Sequence, residues 1–142
     1  MRIVRAIAPL VAAVLVVLAF APGPADAADH APVFVAASAI ASSTGVDVTI
    51  TLPATWEPDD IFLVLAWVRD QDDTATMTGY TALTGSPWSR NTVSRYWVFW
   101  KRAGTSEANP LFDKSGTTGN TYAMLVVYRA AVLTGTPIET QA

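Results

Sequence analysis

Short apolar segments separated by turn-forming residues recur along this chain, and their spacing is the feature that most constrains its fold. From Val33 onward they come at intervals of about ten residues, with glycine, proline and threonine between them. None of them shows a sustained helical period. Strands at this spacing are typical of sandwiches and barrels. We therefore expect an all-β domain over residues 33–142, an antiparallel β-sandwich of the jelly-roll or immunoglobulin-like kind.

Two segments give the strongest strand patterns. Val46 to Leu52 alternates apolar and polar residues, which predicts a half-buried strand. Ile61 to Val68 is apolar on both faces, which predicts a central strand covered on both sides, with Trp67 in the core. Weaker patterns predict further strands at 33–40, 76–83, 93–102, 111–112 and 122–129.

Residues 1–27 have the organisation of a secretory signal peptide. Arg2 and Arg5 precede a short apolar run, Ile7 to Phe20, and Ala25-Asp26-Ala27 supplies small residues at the cleavage positions. The run is shorter than the roughly 20 residues of a membrane span. An uncleaved membrane anchor is the alternative interpretation.

The signal peptide predicts where the protein works. We expect cleavage near Ala27/Ala28, a flexible leader over residues 28–32, and a secreted or cell-surface domain that meets the membrane only during export. Removing Arg2, Arg5 and Asp26 from the 9 basic and 12 acidic residues leaves 7 and 11, a net charge of about −4. An acidic balance argues against nucleic acid as a partner.

Several catalytic chemistries are excluded or disfavoured by composition. The chain contains no cysteine, so disulfide scaffolds, cysteine nucleophiles and cysteine-based zinc sites are excluded. The only histidine, His30, lies in the predicted leader, where a Ser-His-Asp triad is not expected. A non-enzymatic role is therefore the main expectation.

Acidic residues offer two candidate sites. Asp70, Asp72 and Asp73 cluster in one polar loop and are the candidate calcium ligands, with a solvated acidic turn as the simpler alternative. The loop lacks the glycine and the glutamate of an EF-hand. Asp60 and Asp72 are the carboxylates that a hydrolytic, carbohydrate-active domain would use.

Tryptophans supply the candidate binding site. The chain has five, and exposed aromatic rings can pack against sugar rings. Trp97 and Trp100 face opposite sides of an extended strand, so only one of them can lie between two sheets. Trp56 and Trp88 lie in turn-like segments. We expect Trp56, Trp88 and Trp100 to form an aromatic binding platform, with packing roles as the alternative.

Several segments resemble a β-sandwich module of bacterial secreted surface proteins and phage tail proteins. Gly45 to Ala54 is similar to its opening strand, which carries a V-x-V-x-x-P-A pattern, and Asp59 to Val68 to its G-D-x-L-L-A-x-V strand. Trp100 to Ala108 resembles its Y-x-K-x-A-G-x-x-E-P hairpin, with alanine in place of the usual proline. Val127 to Ala130 and Pro137 to Glu139 approach its A-Y-R-G and P-I-D end.

The resemblance spans most of residues 43–139 and implies a β-sandwich with no catalytic residues. Such modules usually continue past P-I-D into a second set of strands, whereas this sequence ends at Ala142. We therefore expect a short version, a fragment, or half of an assembly.

The combined expectation is a secreted, non-catalytic binding, adhesion or structural module with no cofactor other than calcium. Its expected partners are a carbohydrate or another surface protein. A hydrolytic domain is one alternative, and a half-module completed by self-association into a homo-oligomer is the other.

Overall fold

The computed structural model describes residues 32–45, 47–69, 74–90, 92–115 and 119–129. Within these residues the fold is all-β and contains no helix. Its strands form two antiparallel sheets, an arrangement consistent with a β-sandwich. The all-β prediction is confirmed. The predicted signal peptide and most of the leader lie outside the described residues.

The larger sheet contains the three longest strands. Across the described residues the strands are β1 (Val33–Ala37), β2 (Ala41–Ser43), β3 (Val48–Thr49), β4 (Ile61–Val68), β5 (Ala75–Thr76), β6 (Thr81–Ala82), β7 (Trp88–Ser89), β8 (Arg95–Arg102), β9 (Leu111–Lys114) and β10 (Thr121–Arg129). The larger sheet has the order β1-β10-β4-β8-β6, with β2 also paired to β10 and β7 to β8. The smaller sheet has the order β3-β9-β5.

The strand predicted over 46–52 is shorter in the structure than its alternation suggests. Only Val48–Thr49 pairs with β9. Beyond it, the Ile50 amide donates to the Pro110 carbonyl at 2.9 Å, and the Leu52 amide donates to Asn109 Oδ1 at 2.9 Å. Beyond Thr49 the chain therefore stays extended but is hydrogen-bonded to Asn109 and Pro110, the two residues that precede β9, and not to a regular strand.

Strand β4 has the predicted bounds and the predicted central place in the sheet. Its even-numbered residues are all buried against the smaller sheet, whereas Leu65 and Trp67 point the other way and are partly exposed. The prediction that Trp67 lies in the core was therefore wrong, and so was the prediction of cover on both sides. The two-residue period of a strand places all odd positions together.

The core lies between the two sheets. Phe62, Phe99 and Leu125 extend from the larger sheet, and Phe112 with Ile50 comes from the opposite layer; all are nearly or fully buried. The rings of Phe99 and Phe112 meet edge to face across the layers, with centroids 6.1 Å apart. Aromatic pairs in this geometry stabilise by more than their buried area alone.

The described part of the chain is built of strands and contains no helix that could cross a membrane. The fold therefore presents two sheet surfaces to its surroundings. One of them carries the candidate site.

Candidate functional site

The side of the larger sheet that points away from the smaller sheet, called here the outer face, is apolar over three adjacent strands. Side chains of alternate residues in β4, β8 and β10 form it, since residues opposite one another in paired strands lie on the same face. These are Leu63, Leu65, Trp67, Tyr96, Val98, Trp100, Tyr122, Met124, Val126 and Tyr128. The strand register makes the surface continuous.

Four aromatic residues cross the outer face in one line, called here the aromatic row. Trp88 of β7 lies opposite Tyr96, Tyr96 opposite Trp67, and Trp67 opposite Tyr122. Trp88, Tyr96 and Tyr122 are 40%, 36% and 41% exposed. The rings of Trp67 and Tyr122 are 5.4 Å apart and tilted by 38°. The rings of Trp67 and Tyr122 therefore contact one another, and three of the four members of the row are exposed to solvent.

A shallow groove of about 330 Å³ runs along the row. Leu65, Val98 and Met124 form its floor, and Ile40 stands at its border. Leu65 is 42% exposed and Ile40 is 66% exposed, although both are large aliphatic side chains. In the described part of the chain, this apolar surface is exposed to solvent.

The outer face carries no charged side chain among the described residues of its interior. Arg102 lies at one end of β8, and Arg69 follows the opposite end of β4. The described carboxylates near the sheet lie on other surfaces, at the turn before β4 and in the loop after β8. The face can therefore bind through apolar and aromatic contacts but offers no ion pair at its centre.

The three tryptophans of the predicted platform do not lie together. Trp88 and Trp100 both lie on the outer face, opposite Tyr96 and Leu63 respectively. Trp56 instead packs edge to face on the core residue Phe62, with ring centroids 5.7 Å apart and an interplanar angle of 87°. Trp56 thus contributes to the core, and the other two belong to the exposed surface.

Three members of the aromatic row were missed by sequence reasoning. Trp67 was assigned to the core, and Tyr96 and Tyr122 were not singled out as binding residues. The alternation within each strand already places each of them on a definite side. What the sequence could not supply is the register that brings the three strands side by side and aligns the rings.

Asp60, one of the carboxylates considered for hydrolysis, is held in a structural ion pair. It is 2% exposed and accepts hydrogen bonds from Arg129 Nε at 3.0 Å and from the Glu57 amide at 2.9 Å. The hydrogen bond that Arg129 donates to Asp60, together with the negative charges of Asp60 and Glu57, raises the pKa of Arg129. Asp72, the second carboxylate considered, lies outside the described residues.

The predicted calcium ligands Asp70, Asp72 and Asp73 also lie outside the described residues. Within the part of the chain that is described, no group of three or more histidine, cysteine, aspartate or glutamate side chains could hold a metal ion. Lys114, which is fully buried, pairs with Ala75 just after this acidic loop. A buried cation therefore lies close to where the loop rejoins the sheet.

A second ion pair closes the turn after β8. Glu107 accepts hydrogen bonds from Lys101 Nζ and, at 2.6 Å, from the Gly104 amide. Lys101 Nζ lies 5.7 Å from the centroid of the Tyr80 ring, within cation–π range. The segment Trp100 to Ala108, which carries part of the family resemblance, is thus held by its own lysine and glutamate.

Alkaline pH should weaken the fold through Tyr80. Burial, and secondarily the charge of Glu107, raises the pKa of the Tyr80 phenol well above its ordinary value. The folded protein therefore keeps a proton that the unfolded chain releases near pH 10. The contribution of Tyr80 to the free energy of unfolding should be constant below that pH and fall above it. The slope is at most about 1.4 kcal/mol per pH unit, and solvent screening reduces it.

Urea unfolding at several values between pH 8 and pH 11.5 measures this effect. Tyr80→Phe should flatten the alkaline decline, whereas Tyr96→Phe, at an exposed tyrosine, should leave it unchanged. Equal alkaline slopes in the parent chain and in Tyr80→Phe would contradict the assignment.

Comparison with protein-family models, curated proteins and solved structures found no match to this chain. The resemblance to a β-sandwich module of bacterial surface and phage tail proteins therefore stays a prediction.

Proposed function

We propose that this protein is an exported, non-catalytic β-sandwich module that binds a macromolecular partner through its outer face. The observation that carries the proposal is the continuous, uncharged surface around Leu65 and the aromatic row. Exposed apolar patches of more than a few hundred Å² are rare on soluble monomers and mark interaction sites. Tyrosine and tryptophan are also the residues most enriched at binding hot spots.

The contacts already made by the described acidic side chains favour binding over catalysis as the function. Asp60 and Glu107 are both engaged in ion pairs and in hydrogen bonds to backbone amides. A general acid or base needs access to substrate. The outer face, in contrast, is accessible but contains no described carboxylate or histidine. Its chemistry suits recognition.

An apolar protein surface fits the outer face better than a carbohydrate does. Sugar binding combines ring stacking with hydrogen bonds to hydroxyl groups, and the centre of this face is aliphatic. The tilt between Trp67 and Tyr122 turns part of each ring toward its neighbour. A carbohydrate remains the second candidate because Trp88 and Tyr96 at one end of the row carry exposed rings with polar groups.

The absence of cysteine from the sequence allows a direct test of whether the outer face is free. Single variants Leu65→Cys, Ala66→Cys and Leu111→Cys are compared for their rate of reaction with a maleimide at submicromolar protein concentration. Leu111, 46% exposed on the smaller sheet, is the matched exposed control, and buried Ala66 is the protected one. Leu65→Cys should react at a rate close to that of Leu111→Cys.

Protection of Leu65→Cys to the level of Ala66→Cys in a chain that sediments as a monomer at this dilution would overturn the proposal, since a face covered by the chain's own residues cannot bind a partner. Co-sedimentation with insoluble chitin and cellulose addresses the second candidate. We expect no retention. Retention that is lost in Trp88→Ala but kept in Leu111→Ala would favour the carbohydrate instead.

A further inference from the structure

We infer that the partner of the outer face is a second copy of this chain, packed face to face on the larger sheet. This inference rests on the proposed function and names the occupant of the same surface. The paired assembly would bury the aromatic row and Leu65 of both copies between two larger sheets. Stacked sheets pack about 10 Å apart with interdigitating side chains, as the two layers of one sandwich do.

The absence of charge makes the outer face complementary to itself. In a twofold dimer the same patch meets its own copy, so any charge near the axis faces a like charge. The groove floor of Leu65, Val98 and Met124 carries none. Among the described cations, Arg69 and Arg102 lie at opposite ends of the strands, at the rim of the interface and away from its centre.

The area of the outer face is sufficient for a specific dimer. Strands β4 and β8 are each eight residues long. At about 3.3 Å per residue and about 4.8 Å per strand, the three long strands β10, β4 and β8 present roughly 26 by 14 Å, and the short strands β1, β2, β6 and β7 along the two edges widen this surface to about 24 Å where they pair. Pairing two such surfaces removes on the order of 1,200 Å² from water, the lower end of the range for stable specific interfaces.

The aromatic row supplies a suitable centre for this interface. Trp88, Tyr96 and Tyr122 are each more than a third exposed, all three lie on paired strands, and the Tyr122 ring already packs on Trp67. Side chains that are held in place before association lose less conformational freedom when they are buried. A row of this kind can be covered by an equally apolar surface with little ordering cost.

Sedimentation velocity of the purified full chain, expressed with its N-terminal segment so that any processing occurs, tests the inference. We expect a concentration-dependent monomer–dimer equilibrium. Leu65→Glu should raise the dissociation constant by at least about 100-fold, since it places an unpaired charge in the buried centre of both copies. Leu111→Glu, the same change at a similarly exposed leucine of the smaller sheet, should leave the constant unchanged.

Maleimide labelling of Leu65→Cys across a range of protein concentrations separates the two proposals. Protection that appears only at high concentration supports self-association, provided Leu111→Cys reacts equally fast throughout. Fast reaction at every concentration, with a monomer in sedimentation, would overturn self-association but leave the outer face free for another partner. Protection at every concentration in a chain that sediments as a monomer would overturn both the inference and the proposed function. A dimer that persists in Leu65→Glu would overturn the inference.

Discussion

Replacing Phe112 by alanine is expected to lower the free energy of unfolding by about 3–5 kcal/mol, the range for truncating a buried phenylalanine. Phe112 is fully buried and lies on β9, the central strand of the smaller sheet. Its ring meets Phe99 of the larger sheet edge to face. Truncation would therefore open a cavity between the layers, at the contact that joins them.

The neighbouring residue provides the control for this experiment. Leu111 precedes Phe112 on the same strand but points outward and is 46% exposed. Leu111→Ala should change the free energy of unfolding by no more than about 0.5 kcal/mol, as surface substitutions usually do. Urea unfolding followed by tryptophan fluorescence measures both. Similar losses in the two variants would contradict a two-layer core centred on Phe112.

Replacing Asp60 by asparagine is expected to cost about 2 kcal/mol of unfolding free energy, the scale of a buried hydrogen bond to a charged group. The carboxylate of Asp60 accepts from Arg129 and from the Glu57 amide, joining the turn before β4 to the end of β10. In asparagine an NH2 group replaces one carboxylate oxygen, and this group cannot accept a hydrogen bond from Arg129 or from the Glu57 amide. The loss should appear in the midpoint of thermal unfolding measured by circular dichroism.

Asp59→Asn is the matched control for Asp60→Asn. Asp59 is exposed and has a φ of 71°, a left-handed conformation that asparagine also tolerates. The change removes one negative charge next to Asp60 without removing a contact of its carboxylate, so stability should stay within about 0.5 kcal/mol of the parent. If Asp59→Asn lost as much stability as Asp60→Asn, general charge balance rather than the Asp60–Arg129 pair would account for the effect.

The local hydrophobic pattern was sufficient to predict the long strands of the larger sheet. Ile61 to Val68 is a continuous apolar run bounded by turn residues, and the structure gives β4 the same limits. The pattern over 46–52 misled because alternation reports which side chains are buried and not what the backbone pairs with. There, Ile50 and Leu52 bond to the loop at Asn109 and Pro110 in place of a strand.

The outer face was harder to predict because it depends on how the strands pair with one another. Trp88 and Trp100 were identified as binding candidates from local sequence, and both lie on the outer face. Trp56 has a similar local setting, yet it packs on Phe62. The sequence neighbours of a tryptophan do not determine which sheet its ring packs against, since that depends on contacts with residues distant in the chain.

The sequence by itself determined the all-β fold of the described residues and the two faces of each long strand, because successive side chains of a strand point to opposite sides. Only the tertiary structure decided that Leu65 and Trp67 of β4 face outward and that Trp88, Tyr96, Trp67 and Tyr122 align in one row. Register and layer order arise from pairing between segments far apart in sequence. Those pairings turn single exposed residues into one continuous apolar face.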